Sequence, residues 1–186
     1  DRADRARRGP MEGPRRARAA MSVFTPGNVV IVLIDAGVWA SWSVLCGYYA
    51  HRLSPGRLSR DNWLFRLRVF ESGGRVYERR LGIKRWKDRL PDAGDLFQGG
   101  LSKKRLLAVR DREHLERFAA ETRRAELTHW LILAASPWFF LWNPWWLGLA
   151  MVGYGIVANI PCVAIQRYNR ARLFRVIGRA SAARTA

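Results

Sequence analysis

A long apolar run dominates the hydrophobicity pattern: it extends from Trp130 to Ile165 and contains no charged residue. At about 1.5 Å per residue, one helix over these positions would be about 54 Å long, well beyond the ~30 Å hydrocarbon core of a bilayer. Asn143-Pro144 lies near the middle, and the residue before a proline is disfavoured in a helix. The pattern therefore predicts a helical hairpin, with membrane segments at 130–142 and 145–165 that turn at Asn143-Pro144.

The hairpin places the polar segments on either side of it together. Because the chain returns to the surface that it left, Glu121–His129 and Gln166–Arg172 are predicted to share one side of the membrane. Four tryptophans flank the turn, as in the aromatic belt of a membrane interface. They are Trp138, Trp142, Trp145 and Trp146. The alternative is a buried hairpin in a soluble protein, although 186 residues offer little else to cover such a run.

A second apolar stretch, Asn28–Ala50, has 23 residues, which is enough for one further membrane span. A cleaved signal peptide is the main alternative, but the stretch is long for that purpose and contains bulky tryptophans. Asp35 within it is costly in a bilayer unless it faces protein or water, so it is either a functional residue or lies near a helix end.

The segments between the apolar stretches predict helices at the membrane surface. His51–Pro91 mixes aromatic residues with arginines, which is typical of amphipathic structure in the headgroup layer, and Gly73-Gly74 marks a turn within it. Gly94–Gly100 is predicted to be a loop, and Ser102–His129 one helix that continues into the bilayer. The predicted fold is thus an all-α integral membrane protein with about three membrane segments, interfacial amphipathic helices, and a long helix leading into a helical hairpin.

Charge supports a membrane location. The chain has 33 Lys and Arg residues against 15 Asp and Glu, a formal charge of +18 that suits either nucleic acid or an anionic membrane surface. The apolar stretches favour the membrane, and no nucleic-acid partner is expected. The positive-inside rule places the basic segments in the cytoplasm of a multi-pass protein of the cell membrane. That orientation would reverse if the Arg-rich leader before Met21 is part of the protein.

Composition also sets the predicted domain boundaries. Residues 1–21 form a low-complexity, Arg-rich leader that is expected to be disordered, 22–175 a single membrane domain, and 176–186 a disordered tail. The two cysteines, Cys46 and Cys162, both lie in apolar segments and suggest neither a disulfide framework nor a zinc site.

Candidate chemistry lies on the helix before the hairpin. A helix places Glu126 and His129 on one face, with Glu121 two turns before the histidine. A carboxylate beside an imidazole fixes its tautomer and raises its basicity, which suits a general base that takes a proton from a hydroxyl. The alternative is a salt-linked helix end. Glu-x-x-His also occurs in di-iron bundles, but His51 and His114 lack the further carboxylates that such a site needs, so no metal is predicted.

The polar segment after the hairpin, Gln166–Arg172, contains guanidinium and amide groups suited to carboxylates, phosphates or sugar hydroxyls. Its arginines are equally consistent with simple anchoring to anionic lipid, to which the amides of Gln166 and Asn169 would add nothing. The sequence contains no G-x-S-x-G elbow, P-loop or dinucleotide-binding fingerprint.

Four segments occur in the same order in a known family. They are Ile83–Pro91, Glu121–Trp130, Asn159–Pro161 and Ile165–Arg172. On these segments the chain, from about Ser22 to Arg175, resembles the glycosyl-4,4'-diaponeurosporenoate acyltransferase family, which makes staphyloxanthin-type carotenoids. The resemblance implies a membrane acyltransferase that esterifies a sugar hydroxyl of a glycosylated lipid, such as a carotenoid glycoside, with a fatty acyl group. Its partners would be a lipid-linked glycoside, an acyl donor, the membrane and other enzymes of the pathway.

The residues suggest a direct transfer from an acyl thioester, either acyl-CoA or acyl carrier protein, with no bound cofactor. His129 is the predicted base, oriented by Glu126 or Glu121. The predicted substrate-binding residues are Lys84, Trp86, Lys87, Asp88, Arg124, Asn159, Gln166, Arg167, Asn169 and Arg170. Of these, Arg124, Asn159, Gln166 and Arg167 are candidates to hold the donor headgroup or the developing oxyanion. The alternative is a non-catalytic membrane protein whose basic face binds anionic lipid or a partner enzyme.

Overall fold

The structure is a computed structural model that describes residues 26–59, 61–89 and 112–185, and its regular elements are all helical. The α-helices are α1 Pro26–Arg52, α2 Pro55–Leu58, α3 Arg75–Arg79, α4 Ile83–Trp86, α5 Arg112–Ala134 and α6 Trp145–Thr185. The 3-10 helices are Val69–Gly74, Lys87–Arg89 and Ser136–Leu141. The predicted leader, the loop at Gly94–Gly100, and the proposed ends at Pro91 and Ser102 lie outside the described residues.

The helical hairpin is confirmed. Helix α5 ends at Ala134, a 3-10 helix follows, and α6 begins at Trp145, directly after the predicted turn at Asn143-Pro144. Helix α6 packs against α5 along its length, so the chain does double back. Pro161 lies inside α6 without ending it, and the helix continues to Thr185. Residues 176–185 are therefore helical where the sequence predicts a disordered tail.

Among the described residues, two helices are long and apolar enough to cross a membrane, Gly27–Arg52 and Trp145–Gly178. These are fewer than the three membrane segments that the sequence predicts. The third predicted segment, 130–142, is divided because Ser136-Pro137 follows the end of α5 and the backbone tightens into a 3-10 helix. The proline at the start of that element has no N–H to extend the α-helical bonding.

The chain divides into two compact units, Asp1–Gly37 and Val38–Ala186. In the first, the described residues form the N-terminal part of α1, and most of its valine, leucine and isoleucine side chains are exposed. The second contains the remaining described elements and the candidate site. The prediction of a single domain over 22–175 stays a prediction.

Within the second unit, apolar side chains exposed on the hairpin form a band around its turn and along α6. They are Trp138, Phe140, Leu141, Trp142, Trp145, Trp146, Leu149, Tyr154, Ile156, Val157 and Ile160. Beneath the band, Trp39 of α1 stacks on Phe139 with ring centroids 4.9 Å apart and packs with Cys46 and Ile132. The side chains of this end of the hairpin are thus mainly apolar, with Ser136 and Asn143 as buried polar exceptions.

At the other end of the hairpin, the short helices between Leu53 and Arg89 cover α5 and α6. Tyr77 and Ile83 pack with Ala164, Ile165 and Tyr168 of α6. The predicted turn at Gly73-Gly74 is confirmed, since both residues have positive φ angles, 59° and 92°. A Cβ at Gly74 would lie only 3.2 Å from the Ala171 Cβ, so this turn can approach α6 closely enough to bring the preceding 3-10 helix against it.

Candidate active site

Arg167 of α6 lies at the end of the hairpin that is covered by the short helices. Its guanidinium donates to two carboxylates and two backbone carbonyls. Its Nε and Nη2 form a bidentate pair with Glu71 at 2.7 and 2.9 Å, and its Nη1 reaches Glu126 at 2.7 Å. The backbone carbonyls of Leu64 and Arg66 accept the two remaining bonds. A guanidinium has five N–H donors, so all of them are used. Arg167 therefore has no donor left for the substrate that the sequence analysis assigns to it.

Glu71 is the partner that makes this arrangement possible. It lies in the 3-10 helix Val69–Gly74, is only 1% exposed, and accepts bonds from the Tyr77 hydroxyl and the Arg68 backbone N–H as well as from Arg167. Burial raises the pKa of its carboxyl, but these donors outweigh burial and hold the pKa below the usual value. Burial and the Glu71 carboxylate raise the pKa of Tyr77, so the phenol stays protonated and keeps donating.

Glu126 of α5 links the same arginine to a second one. Its Oε1 accepts from Arg167 and, at 3.3 Å, from the indole of Trp130, and its Oε2 accepts from Arg170 at 2.6 Å. Arg170 also donates to the Phe65 carbonyl at 2.7 Å. Glu126 and Arg170 are both 0% exposed. This confirms that the segments on either side of the hairpin meet. We call Glu71, Glu126, Arg167 and Arg170 the charge network.

His129 lies one turn beyond Glu126 on α5, and its hydrogen-bond partner in the described part of the chain is neither carboxylate proposed from the sequence. Its Nδ1 lies 2.9 Å from Oδ1 of Asn159 on α6. The expectation that Glu126 or Glu121 orients this ring is corrected, because Glu126 is occupied by the two arginines and Glu121 pairs with Arg124 at 2.6 Å. Both carboxylates pair with guanidinium groups, and the Asn159 amide is the partner of the imidazole instead.

The orientation of Asn159 determines which nitrogen of His129 carries the proton. The amide nitrogen of Asn159 donates to the Gly155 carbonyl at 2.9 Å, so its oxygen faces the ring. An amide oxygen only accepts, and the Nδ1 of His129 must therefore donate to it. In the neutral ring, Nε2 then has a free lone pair. Burial lowers the pKa of His129, an effect that the bond to Asn159 partly opposes, so the ring is neutral at physiological pH.

Gly155 also controls how closely α6 approaches the other arm of the hairpin at this level. A Cβ at residue 155 would lie 2.3 Å from the hydroxyl oxygen of Ser136 and 3.1 Å from the Trp39 ring. Both neighbours are buried. A side chain at this position would therefore force the two arms apart where His129 and Asn159 meet.

The other arginines of the site hold backbone segments. Arg124 pairs with Glu121 and donates to the Leu53 carbonyl at 3.3 Å, so its guanidinium is used for packing rather than for an oxyanion. Arg123, which the sequence analysis did not single out, forms a bidentate pair with Asp61 at 2.7 and 2.8 Å and donates to the Leu58 carbonyl. Arg123 of α5 thus holds the Leu58 carbonyl, while Arg167 and Arg170 of α6 hold the carbonyls of residues 64–66.

The remaining predicted binding residues from the short helices lie together on another side of α6. Lys84 pairs with Glu78 at 2.8 Å, Lys87 pairs with Asp88 at 2.7 Å, and the Trp86 indole donates to the Leu81 carbonyl. Hydrogen bonds from Lys84 and the Tyr168 hydroxyl hold the pKa of Glu78 below the usual value. An open groove of about 280 Å³ lies here, lined by Glu78, Lys84, Arg172, Arg175 and Val176. The structure does not bring these residues into contact with His129.

Gln166 and Asn169 are the predicted residues whose amides stay available. Both are half-buried on α6, and neither side chain has a hydrogen-bond partner within the described ranges. Gln166 lies two turns from Asn159 on nearly the same face of the helix. Of the predicted oxyanion donors, Gln166 is the one whose side chain is bonded to no other group within the described residues.

The residues that sequence reasoning missed are those of the short helices, above all Glu71 and Tyr77. The signal in the sequence was weak: an acidic residue two positions before Gly73-Gly74, in a segment otherwise rich in arginine. Among the described residues there is no group of three or more His, Cys, Asp or Glu side chains that would hold a metal ion.

The chain is similar in sequence to named proteins of one family. A family model described as glycosyl-4,4'-diaponeurosporenoate acyltransferase matches residues 61–179. The glycosyl-4,4'-diaponeurosporenoate acyltransferase of Staphylococcus aureus strain USA300 is 28% identical over 124 residues, covering 66% of this chain and 74% of that protein. The protein of the same description from the bovine strain RF122 is 28% identical over 114 residues, covering 61% and 68%. No solved structure matches the chain significantly.

Proposed function

Because the chain belongs to the glycosyl-4,4'-diaponeurosporenoate acyltransferase family, we propose that it moves a fatty acyl group from a thioester to a sugar hydroxyl at a membrane. The relatives are named for a glycosylated diaponeurosporenoate, so the acceptor here is a glycosylated carotenoid or a related glycolipid. Membership of this family makes the protein an acyltransferase, and the residues of the second unit give that activity a mechanism.

His129 acts as the general base. Its Nε2 accepts the proton of the sugar hydroxyl while the hydroxyl oxygen attacks the carbonyl carbon of the thioester. The tetrahedral intermediate then collapses, the C–S bond breaks, and the thiolate leaves with the proton returned by the imidazolium. The ester and the free thiol are the products, and the histidine ends in the form in which it began. No covalent acyl-enzyme is required.

Asn159 and Gln166 support this reaction in different ways. Asn159 is a positioning residue, because its oxygen holds Nδ1–H of His129 and so leaves Nε2 as the basic nitrogen. Gln166 donates from its free amide to the oxyanion that develops on the thioester carbonyl, a role worth about 3 kcal/mol for one well-placed donor. The charge network lies beside them and fixes α5 against α6.

The apolar surfaces favour a membrane location. Two of the described helices pass the length and hydropathy requirements of a span, and large apolar side chains are exposed around the hairpin turn. Residues 51–128 carry 20 basic and 11 acidic side chains, and 166–186 carry 6 basic and none acidic. We therefore place these basic segments on the cytoplasmic side of the cell membrane.

The observation that carries the proposal is the pairing of His129 with an amide whose orientation is fixed by the Gly155 carbonyl. It is tested by His129→Ala in proteoliposomes supplied with an acyl thioester and a glycosyl carotenoid. We expect turnover to fall by about 10²–10⁴-fold, the usual contribution of a general base, in a variant that still folds.

His51→Ala is the matched control, since it removes another half-buried imidazole, from the end of α1, and should leave turnover unchanged. Turnover of His129→Ala near that of the unsubstituted protein would remove the general-base role.

A further inference from the structure

The groove between the short helices and α6 is a site of its own, apart from the histidine. It is lined by Glu78, Lys84, Arg172, Arg175 and Val176. At about 100° per residue, Arg172 and Arg175 lie about 140° and 160° around α6 from Asn159. The groove is therefore on a different side of the helix from the pair of Asn159 and His129, and what binds there needs its own explanation.

The walls of the groove carry an excess of positive charge. Lys84, Arg172 and Arg175 are three cations, and Glu78 is the one carboxylate of the lining. That carboxylate accepts from Lys84 at 2.8 Å and from the Tyr168 hydroxyl at 2.9 Å. Arg175 lies 3.7 Å from it, beyond hydrogen-bond distance. The one carboxylate thus balances only part of the charge, and the surplus favours an anionic ligand.

The stems of the two arginines are packed while their charged ends stay accessible. A Cβ at Gly73 would lie 3.4 Å from Cδ of Arg175, so the aliphatic part of Arg175 packs against the glycine turn. The Arg172 guanidinium lies over the Tyr168 ring, 5.7 Å from its centroid, and its side chain is exposed. Packed stems leave less conformational entropy to be lost when a ligand binds.

The donors of the groove are those that suit phosphate. Guanidinium groups bind phosphate oxygens with paired hydrogen bonds, and a lysine ammonium binds them as a point charge. Donors from α4 and α6 line the same concave surface, and a phosphate offers them more acceptor oxygens than a carboxylate does. The volume of about 280 Å³ leaves room for a small group esterified to the phosphate.

The position of the groove along α6 gives two sources of phosphate access to it. The apolar run ends at Ile165, and Arg172 lies about 10 Å further along the helix. Side chains of a helix lean towards its N-terminus, which brings the Arg172 guanidinium back towards the bilayer. The headgroup layer extends about 5–8 Å beyond each side of the hydrocarbon core. In the proposed membrane location, the groove thus lies at the outer edge of the headgroups, within reach of lipid phosphates and of soluble phosphate esters.

We propose that this groove binds a phosphate group. Arg172 and Arg175 donate to its oxygens, and Lys84 adds a third positive charge. Glu78 positions the cations and competes with the ligand for them. The site goes beyond the proposed acyl transfer and does not depend on it, so the failure of either proposal leaves the other standing.

The first arm of the test uses a soluble phosphate ester. Glycerol 3-phosphate is titrated by calorimetry into the full chain in phosphatidylcholine nanodiscs. Arg172→Gln/Arg175→Gln should weaken its binding by about tenfold or more, because hydrogen bonds from two charged groups are lost. Arg79→Gln/Arg85→Gln removes the same charge from exposed arginines of the short helices outside the groove. This control should change the affinity by less than about twofold, since exposed charges are screened by salt.

The second arm uses a lipid phosphate. The full chain is released from nanodiscs of phosphatidylcholine and phosphatidylglycerol in equal parts, and native mass spectrometry counts the lipids of each kind that stay bound. A loss of phosphatidylglycerol in the groove variant but not in the control variant assigns the site to a lipid headgroup. A loss of glycerol 3-phosphate binding alone assigns it to a soluble phosphate ester.

Two single substitutions keep the test decisive if the double variant does not fold. Lys84→Gln, at a side chain that is 60% exposed, should weaken binding in the arm that responds. Glu78→Gln retains an acceptor for Lys84 and the Tyr168 hydroxyl but removes the competing charge, so it should strengthen binding by about two- to fivefold. A misfolded protein would only lose affinity.

Four outcomes would overturn the proposal. They are that neither probe binds, that the groove variant binds both as the unsubstituted protein does, that groove and control variants lose affinity equally, and that Glu78→Gln weakens binding.

Discussion

Arg167 and His129 lie on neighbouring turns of the same helix pair, yet their surroundings are opposite. Every N–H of Arg167 is bonded within the protein, to two carboxylates and two backbone carbonyls. His129 has one bond, to an amide, which leaves its other nitrogen available. The donors of Arg167 are thus all bonded within the protein, whereas Nε2 of His129 is available to another molecule.

The difference shows why charge alone does not identify a catalytic group. The charge network contains the most conspicuous side chains of the site, two glutamates and two arginines, but it is neutral as a whole and largely shielded from solvent. Its formation removes Glu126 from the role of orienting His129. The unpaired amides of Gln166 and Asn169, which carry no charge, are better placed to meet a substrate. Three substitutions would sharpen or break this contrast.

The largest effect is expected for Glu126→Ala. It leaves Arg170 buried without a carboxylate, and removing one partner of a buried pair costs about 3–5 kcal/mol of folding stability. We expect a matching loss in the free energy of unfolding by denaturant in detergent. Glu121→Ala breaks a half-buried pair on the same helix and should cost about 1 kcal/mol or less. Equal losses in the two variants would contradict a structural role for the charge network.

A smaller effect, on rate rather than stability, is expected for Asn159→Leu. Without the amide oxygen the ring loses its fixed tautomer, and we expect kcat to fall by about 10- to 100-fold. The bond to Asn159 raises the pKa of His129 against the effect of burial, so its removal lowers this pKa further. A lower pKa keeps the base deprotonated at more acidic pH.

Burial lowers the pKa of His129, so we expect the acid limb of the kcat–pH profile below the ordinary histidine value of 6.5, and it should move to still lower pH in Asn159→Leu. Asn169→Leu, which removes an amide without contact to His129, should leave the limb where it is. An unmoved limb in Asn159→Leu would separate this residue from the histidine.

The smallest effect is expected for Lys87→Gln. Its pair with Asp88 lies outside both regions, and Asp88 is 66% exposed. Exposed ion pairs contribute about 0.2–1 kcal/mol, so the unfolding temperature and kcat should both change little. A clear loss of kcat with unchanged stability would extend the functional region to the short helices, as the sequence analysis proposed.

The turn of the hairpin and the register of its two arms can be predicted from the sequence. Asn143-Pro144 marks the turn, and His129 and Asn159 each lie fifteen residues from Pro144, so their pairing follows from the symmetry of a hairpin. Local spacing instead favours Glu126, one turn before His129, as the partner of the ring, and only the pairing of Glu126 with Arg167 and Arg170 excludes it.

The charge network could not be predicted, because it depends on Glu71, nearly a hundred residues from Arg167. Its position is decided by the close approach of the Gly73-Gly74 turn to α6. The third predicted membrane segment, 130–142, is not one continuous α-helix, for a local reason. Hydropathy depends on the side chains and not on the backbone conformation. Helix α5 ends at Ala134, just before Ser136-Pro137, although the composition stays apolar beyond it.

The contact between Gly155 and Ser136 has a practical consequence for redesign of the hairpin. The two arms approach closely there because residue 155 has no side chain, so enlarging residue 155 would push apart the arms that carry His129 and Asn159. Replacing Ser136 by glycine would instead create space without a clash against the helix that carries Asn159. Substitutions at this contact are therefore better tolerated in the 3-10 helix than at the glycine.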